Sequence, residues 1–183
     1  MTKFCSECGS ANIVQRVPEG DEHLRAVCDN CGFIHYVNPK IVAGCLLTWD
    51  GKILLAKRAI EPRKGYWTLP AGFMELQEST AEAAARECWE EALARPVDIE
   101  LMGVTSLPHI GQVYMMYHGT LADGEYGVGE ESSEVELFAP EDIPWKQLSF
   151  PVVHFTLKRY IRGEMSVYDE VIDRQTDWLT KGA

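Results

Sequence analysis

Apolar and polar positions along the chain predict strands, then one helix, then further strands and a second helix. Two apolar runs in residues 41–58 flank Asp50-Gly51, a dipeptide typical of a tight β-hairpin turn. A short strand is predicted within GYWTLPAGF (65–73), and longer ones at Ile99–Leu107, Gln112–Leu121 and Val135–Phe138. This order favours an α/β fold, a sandwich of helices around a mixed sheet.

The two helices have clear starting signals. Ser79 and Glu82 fit the S-x-x-E capping box, so the first helix should begin at about Ser79. At 100° per residue its small residues fall on one face, which we expect to pack on the sheet: Ala81, Ala84, Ala85, Cys88 and Ala92. The last helix is predicted over 151–162, because Pro151 suits the first helical position and apolar residues recur with helical spacing after it.

Four of the six cysteines form two C-x-x-C-G pairs, Cys5 with Cys8 and Cys28 with Cys31. Nineteen residues separate the pairs, which is a spacing typical of zinc sites. Four thiolates suit a closed, structural Zn²⁺ site. Two disulfides or a redox-active C-x-x-C are the alternatives.

A turn at Asn38-Pro39 marks the boundary between a zinc ribbon, residues 1–37, and a second domain, residues 38–183. The net charge of −11 argues against attraction to nucleic acid or to an anionic membrane. The sequence contains no apolar run long enough to span a bilayer and no signal-peptide pattern, which predicts a cytoplasmic protein.

Three glutamates crowd the end of the first predicted helix. Glu87, Glu90 and Glu91 project from the margin of its apolar face, where water screens like charges poorly. A divalent ion would compensate their repulsion, and carboxylate oxygens suit Mg²⁺ or Mn²⁺. Arg86 would brace Glu78, Glu82 or Glu90. The alternative is a solvated acidic helix face without a metal.

The frame around these acids resembles the Nudix box, G-x5-E-x7-R-E-U-x-E-E-x-G-U, in which U is a bulky or aliphatic residue. Six of its seven fixed positions match: Gly72, Glu78, Arg86, Glu87, Glu90 and Glu91. Leu93 stands where the pattern has glycine, and small residues, Cys88 and Ala94, stand at two U positions. With the four-cysteine ribbon and the Tyr-x-Asn-Pro-Lys junction, the chain is similar to the zinc-ribbon branch of Nudix hydrolases.

This resemblance implies a Nudix α/β/α sandwich around a mixed sheet, preceded by a small zinc ribbon. It implies that Glu87 and Glu91 are the principal metal ligands, with the backbone carbonyl of Ala71, and that Glu90 shares a second ion. A further glutamate, Glu131 or Glu134, would assist as metal ligand or base. The ions would activate a water that cleaves a diphosphate into two monophosphates.

The branch includes NADH pyrophosphatases and FAD or ADP-ribose diphosphatases. The segment after the box, PHIGQVY (108–114), is more similar to plant-type FAD diphosphatases than to the NADH enzymes, so FAD or ADP-ribose is the expected substrate. Candidate substrate-binding residues are Arg58, Trp67, His109 and Gln112. The family implies a homodimer.

Two other functions stay open at this point. The chain could be a nucleotide-sensing or nucleic-acid-binding regulator that has the fold but does not hydrolyse. It could also be an interaction protein that acts through its ribbon.

Overall fold

The computed structural model describes residues 2–173, and the chain divides after Asn38 into two compact units. Residues 174–183, the end of the second predicted domain, lie outside the described residues. Among residues 2–173, no helix is long and apolar enough to cross a membrane.

The first unit is a three-stranded antiparallel sheet. Its strands are β1 (Ile13–Arg16), β2 (Arg25–Cys28) and β3 (Ile34–His35), in the order β1-β2-β3. Cys28 ends the central strand and is fully buried. Cys28 thus lies on the sheet, and its pair partner Cys31 follows in the turn between β2 and β3.

The second unit is built on one mixed sheet. Its strands are β4 (Lys40–Trp49), β5 (Lys52–Arg58), β6 (Trp67–Thr68), β7 (Ala71–Phe73), β8 (Pro96–Leu107), β9 (Gln112–Leu121), β10 (Ser132–Phe138) and β11 (Tyr168–Val171). The main order is β10-β5-β4-β9-β8-β11, with β6 paired to β5 and β7 paired to β4. The pairs β4–β9 and β8–β11 are parallel and the others are antiparallel.

Two helices cover the two faces of this sheet, α1 (Thr80–Ala92) and α2 (Pro151–Ile161). Because side chains alternate along a strand, β4 contributes to both layers. Its Ala43, Cys45 and Leu47 belong to the core cluster that contains α1. Leu46 belongs to the other cluster, with Val152, Val153 and Leu157 of α2. The predicted sandwich around a mixed sheet is confirmed.

Several predicted elements match the structure closely. The Asp50-Gly51 turn joins β4 to β5, with Thr48 opposite Ile53, and β9 has the predicted bounds. The strand predicted at Ile99–Leu107 begins earlier, at Pro96. β11 was not predicted, because its sequence YDEV carries no apolar alternation; it pairs in parallel with β8.

The capping box of α1 is confirmed, but its predicted buried face needs a correction. The Ser79 hydroxyl accepts the Glu82 N–H, and the Glu82 carboxylate accepts the Ser79 N–H at 2.7 Å. The buried residues of α1 are Ala83, Ala84, Glu87, Cys88, Glu91 and Ala92, whereas Ala81 and Ala85 are only partly buried. The face was misjudged because the alanines were assumed to mark its centre, while two glutamates share it.

Candidate active site

Glu87 and Glu91 are among the few charged side chains buried in the second unit, with 8% and 6% of their surface exposed. They lie one helical turn apart on the side of α1 that faces β7. Gly72, in the middle of β7, makes this approach possible. A Cβ atom on Gly72 would come within 2.4 Å of the Glu87 carboxylate. The glycine is therefore needed for space.

The backbone of β7 also contacts Glu91. The Ala71 N–H donates to Glu91 Oε2 at 3.2 Å, while the Pro70 carbonyl accepts the Cys45 N–H of β4. Bonds to the partner strand alternate along an antiparallel ladder, so the N–H and carbonyl of Ala71 are directed away from β4. The carbonyl predicted as a metal ligand thus belongs to a residue that lies against Glu91 at the cleft wall.

Burial makes both carboxylates unusually basic. It raises the pKa of Glu91 to about 8, and the neighbouring Glu87 charge adds to this effect. Burial also raises the pKa of Glu87, against the opposing influence of Arg86. Charge from Glu131 contributes to both shifts. Two adjacent buried acids that resist ionisation have the character of a site that gains a cation.

Arg86 holds the acids of this region in place. Its guanidinium makes a two-point contact with the Glu78 carboxylate, through Nη2 at 2.8 Å and Nε at 3.1 Å. Nη1 donates to Glu87 at 2.7 Å and to Glu90 at 3.1 Å, and Nη2 also donates to the Phe73 carbonyl. Of the three braces considered from the sequence, those to Glu78 and Glu90 are present, whereas Glu82 is engaged in the capping box.

The two candidate loop glutamates lie in different places. Glu131 lines the same cleft as Glu87 and Glu91. Glu134 does not line it, and its carboxylate instead forms an ion pair with Lys57 at 2.8 Å on the surface. The reason is the register shift of β10 against β5 between Ser132 and Glu134, which pairs Glu134 with Lys57. The structure therefore places Glu131 at the cleft and Glu134 in a surface ion pair.

The acids lie in a cleft of about 1060 Å³. Arg58, His109 and Gln112, three of the four predicted substrate-binding residues, line it. The fourth does not. Trp67 is 5% exposed and belongs to the core, where its ring packs edge-on against Phe138. Its aromatic ring is thus used for packing.

The sequence reasoning missed several residues of the cleft. Phe73, Trp89 and Phe150 add aromatic walls, and Glu130 and Arg63 add charges. Phe73 directly follows Gly72 of the box, so its position could have been inferred from the box alone. Phe150 and Arg63 come from distant loops and carry no such signal.

Arg58 differs from Arg86 in the partners of its guanidinium. Arg86 is saturated by carboxylates, whereas Arg58 donates through Nε to the Pro62 carbonyl at 2.8 Å and packs over the Phe150 ring. Its two terminal nitrogens form no hydrogen bond with the described residues. A fixed guanidinium with terminal donors available suits a phosphate group.

The residues of the cleft supply ligands of the kind that a hard divalent ion takes, although among the described residues no three of these acids have carboxylate oxygens within 4.8 Å of one another. Glu87, Glu91, Glu90 and Glu131 supply carboxylate oxygens, and Ala71 supplies a backbone carbonyl. Oxygen ligands of this kind are those that Mg²⁺ and Mn²⁺ prefer. The raised pKa of Glu91 agrees with such an ion.

The four cysteines of the first unit fit a zinc ion. All are free, and their Sγ atoms lie within 4.8 Å of one another, with Cys5–Cys31 and Cys8–Cys28 at 3.6 Å. A tetrahedral site with Zn–S bonds of about 2.3 Å separates its sulfurs by about 3.8 Å. The structure has no disulfide at these positions.

Comparisons with known proteins agree with these features. The family model described as Nudix N-terminal, a zinc ribbon, matches residues 3–37, and the NUDIX domain model matches residues 38–157. A crystal structure of a NUDIX hydrolase from Nitrosomonas europaea is 46% identical, with a TM-score of 0.88, and covers 94% of this chain and 100% of that chain.

Two curated relatives carry functional names. The ADP-ribose pyrophosphatase of Methanocaldococcus jannaschii is 33% identical over 115 residues, which are 60% of this chain and 67% of the relative. The NAD-capped RNA hydrolase NudC of Pseudomonas syringae pv. syringae is 25% identical over 173 residues, or 93% of this chain. The chain spans only 59% of the length of that second relative.

Proposed function

The chain belongs to the Nudix family, and from that premise we propose that it hydrolyses the diphosphate bond of a nucleoside diphosphate derivative. The observation that carries the proposal is the pair of buried carboxylates, Glu87 and Glu91, at the wall of a large cleft. A merely acidic surface would keep such groups in water, since burying an uncompensated carboxylate is costly. The zinc ribbon has a structural role in this proposal, because four thiolates leave no open position for a substrate.

Glu87, Glu91, Glu90, Glu131 and the Ala71 carbonyl would hold Mg²⁺ or Mn²⁺. When bound, the ion neutralises the diphosphate and lowers the pKa of the attacking water. The water oxygen forms a bond to one phosphorus, the bridging P–O bond breaks, and two monophosphates result. Glu131 would accept the water's proton in this proposal, because it lines the cleft and receives no hydrogen bond from Arg86.

The cationic groups act on the rest of the substrate. Arg86 keeps Glu87 and Glu90 in fixed positions through hydrogen bonds of 2.7 and 3.1 Å. The terminal nitrogens of Arg58 would bind the second phosphate. In the transition state, such donors stabilise the negative charge on the phosphoryl oxygens.

The substrate is FAD or ADP-ribose in this proposal. A cleft of about 1060 Å³ lies at the upper end for small-molecule sites, which suits a substrate with two large halves. Phe73, Tyr114 and Phe150 line it and offer faces for a base or flavin ring. The ADP-ribose pyrophosphatase relative supports the same class.

NADH and NAD-capped RNA form a second candidate substrate class, because the match to the NAD-capped RNA hydrolase spans both units of the chain. The net charge of −11 weighs against the RNA, which would be repelled. The predicted cytoplasmic location and homodimer stay predictions.

The test is product release from FAD, ADP-ribose, NADH and an NAD-capped RNA with Mg²⁺ or Mn²⁺. Glu87→Gln and Glu91→Gln should each lower kcat by about 10²-fold or more, by analogy with the loss of other groups that stabilise transition-state charge. Glu136→Gln is the matched control, because this exposed acid on β10 lies outside the cleft. Wild-type turnover in both site variants would refute the proposed function.

A further inference from the structure

The C-terminal end of α1 is completed by a segment that is remote in sequence. The last carbonyls of a helix have no partner within it. Here the Trp89 and Cys88 carbonyls accept the N–H groups of Leu93 and Ala94. The Ala92 and Glu91 carbonyls are satisfied from outside the helix: Gly127 N–H donates to the Ala92 carbonyl at 2.8 Å, and Gly129 N–H donates to the Glu91 carbonyl at 3.2 Å.

Gly129 is pressed against the helix backbone. A Cβ atom at this position would lie 1.8 Å from the Glu90 carbonyl oxygen and 2.7 Å from its carbon. These are backbone atoms of a helix, so they cannot move aside as a side-chain tip would. The φ angle of Gly129 lies outside the left-handed region, so glycine is needed here for space and not for its conformation.

The residues that follow are fixed at a second point. The Ser132 N–H donates to the Gly129 carbonyl at 3.2 Å, and the Glu131 carbonyl accepts the Ala59 N–H, just after β5, at 2.8 Å. The short stretch Gly129–Ser132 is thus held between α1 and β5. Its Glu131 lines the same cleft as Glu87 and Glu91.

We propose that Gly129 is a positioning residue that docks this stretch on the end of α1 and so fixes Glu131 beside Glu87 and Glu91. Helix α1 then supplies two carboxylates from its own side chains, Glu87 and Glu91. Through its terminal carbonyls it also fixes the position of the Glu131 carboxylate. The inference rests on the proposed function, since it concerns the ion that the carboxylates would hold. It identifies Gly129 as necessary for a complete ligand set and Glu131 as the loop glutamate that acts.

The first test measures Mn²⁺ binding to protein that retains its zinc but carries no other divalent ion. The electron paramagnetic resonance signal of free Mn²⁺ reports how much of the ion stays unbound. Gly129→Ala should weaken Mn²⁺ binding by about tenfold or more, the loss typical of displaced supporting groups in metal sites. Gly127→Ala is the matched control. Its new methyl would meet only Leu93 Cδ1 at 3.0 Å, a side-chain tip that can rotate away. Equal affinities for the two alanine variants would overturn the proposal.

A double-mutant cycle separates positioning from general damage. In a Glu131→Gln background, Gly129→Ala should cause little further loss of Mn²⁺ affinity, because the group that it positions is already absent. If the two substitutions instead weaken Mn²⁺ affinity by factors that multiply in the double variant, Gly129 acts by another route and the proposal is overturned.

A third variant covers the case in which Gly129→Ala does not fold. Glu131→Asp retracts the carboxylate by one methylene, and a stretch docked at both ends cannot follow to compensate. Its Mn²⁺ affinity should fall by about tenfold. Wild-type affinity in Glu131→Asp would mean that the stretch moves freely, which contradicts docking.

Failure of this inference is distinguishable from failure of the proposed function. If Glu87→Gln keeps both turnover and Mn²⁺ affinity, the proposed function is wrong. If Glu87→Gln loses both while Gly129→Ala behaves like Gly127→Ala, the function stands and only the role of Gly129 is refuted.

Discussion

Glutamine in place of Glu91 should stabilise the ion-free protein even though it removes a proposed metal ligand. Glu91 is 6% exposed, and burial raises its pKa from 4.5 to about 8. A carboxyl group with a raised pKa in the folded state contributes its full stability below pH 4.5 and loses it as the pH rises toward 8. Glutamine stays neutral throughout, and its amide oxygen can still accept the Ala71 N–H.

The size of the effect follows from the two pKa values. At pH 7 the Glu91 carboxyl would be ionised in the unfolded chain but mostly protonated in the folded one. At about 1.4 kcal/mol per pH unit above 4.5, this costs wild type on the order of 3 kcal/mol of unfolding free energy at pH 7. The stability advantage of Glu91→Gln over wild type should therefore be under about 1.5 kcal/mol at pH 5.5. It should grow up to pH 8 by roughly 1.4 kcal/mol per pH unit.

Urea unfolding followed by tryptophan fluorescence measures this difference. All five tryptophans of the chain come after residue 38, so the signal reports on the second unit. Glu130→Gln is the control, because it removes the same charge from an exposed position and should change stability by no more than about 0.5 kcal/mol. Mn²⁺ at about 1,000 times its Kd should reverse the order at pH 7, since ligand binding at that excess adds about 4.1 kcal/mol to the protein that binds it.

A specific result would refute this reasoning. If Glu91→Gln were no more stable than wild type at pH 8, or if its advantage did not grow with pH, Glu91 would not be an ionisation-resisting acid. The cleft would then have no electrostatic need for a cation at Glu91.

Three further predictions concern single features. Gly72→Ala should push the Glu87 carboxylate aside, so Mn²⁺ binding should weaken by about tenfold while the unfolding free energy changes by under about 1 kcal/mol; wild-type affinity by titration would contradict this. Leu93 has a left-handed φ of 47°, so Leu93→Gly should be about 1 kcal/mol more stable than Leu93→Ala in urea unfolding, and equal stability would contradict strain there. Metal analysis should find one Zn²⁺ per chain, lost in Cys8→Ser; a full zinc content in that variant would exclude the four-cysteine site.

The features that could be predicted from sequence are those set by residues close together in the chain. The start of α1 follows from Ser79 and Glu82, and the shared surface of Glu87 and Glu91 follows from their four-residue spacing. Leu93, which departs from the expected glycine, nevertheless adopts the left-handed conformation that a glycine would have. The backbone of the box is thus kept despite the substitution.

The features that could not be predicted depend on pairing between distant segments. The different positions of Glu131 and Glu134 follow from an irregularity in the register of β10 against β5, which no local pattern reveals. Trp67 was named as a candidate substrate-binding residue because the sequence does not show that its ring packs against Phe138. The pairing of β11 with β8 could not be predicted either, because the sequence YDEV of β11 carries no apolar alternation.

The acids proposed to do the chemistry and the walls of the cleft have different origins in the chain. Gly72, Arg86, Glu87 and Glu91 come from one contiguous stretch of twenty residues that largely organises itself. The walls come from residues 58–63, 107–114 and 150–151, which the sheet brings together from afar, whereas Glu131 joins the acids from a separate stretch. Substrate selectivity can therefore be redesigned by exchanging wall segments without altering the stretch 72–91. Relatives that share this stretch can accordingly differ in the substrates that they accept.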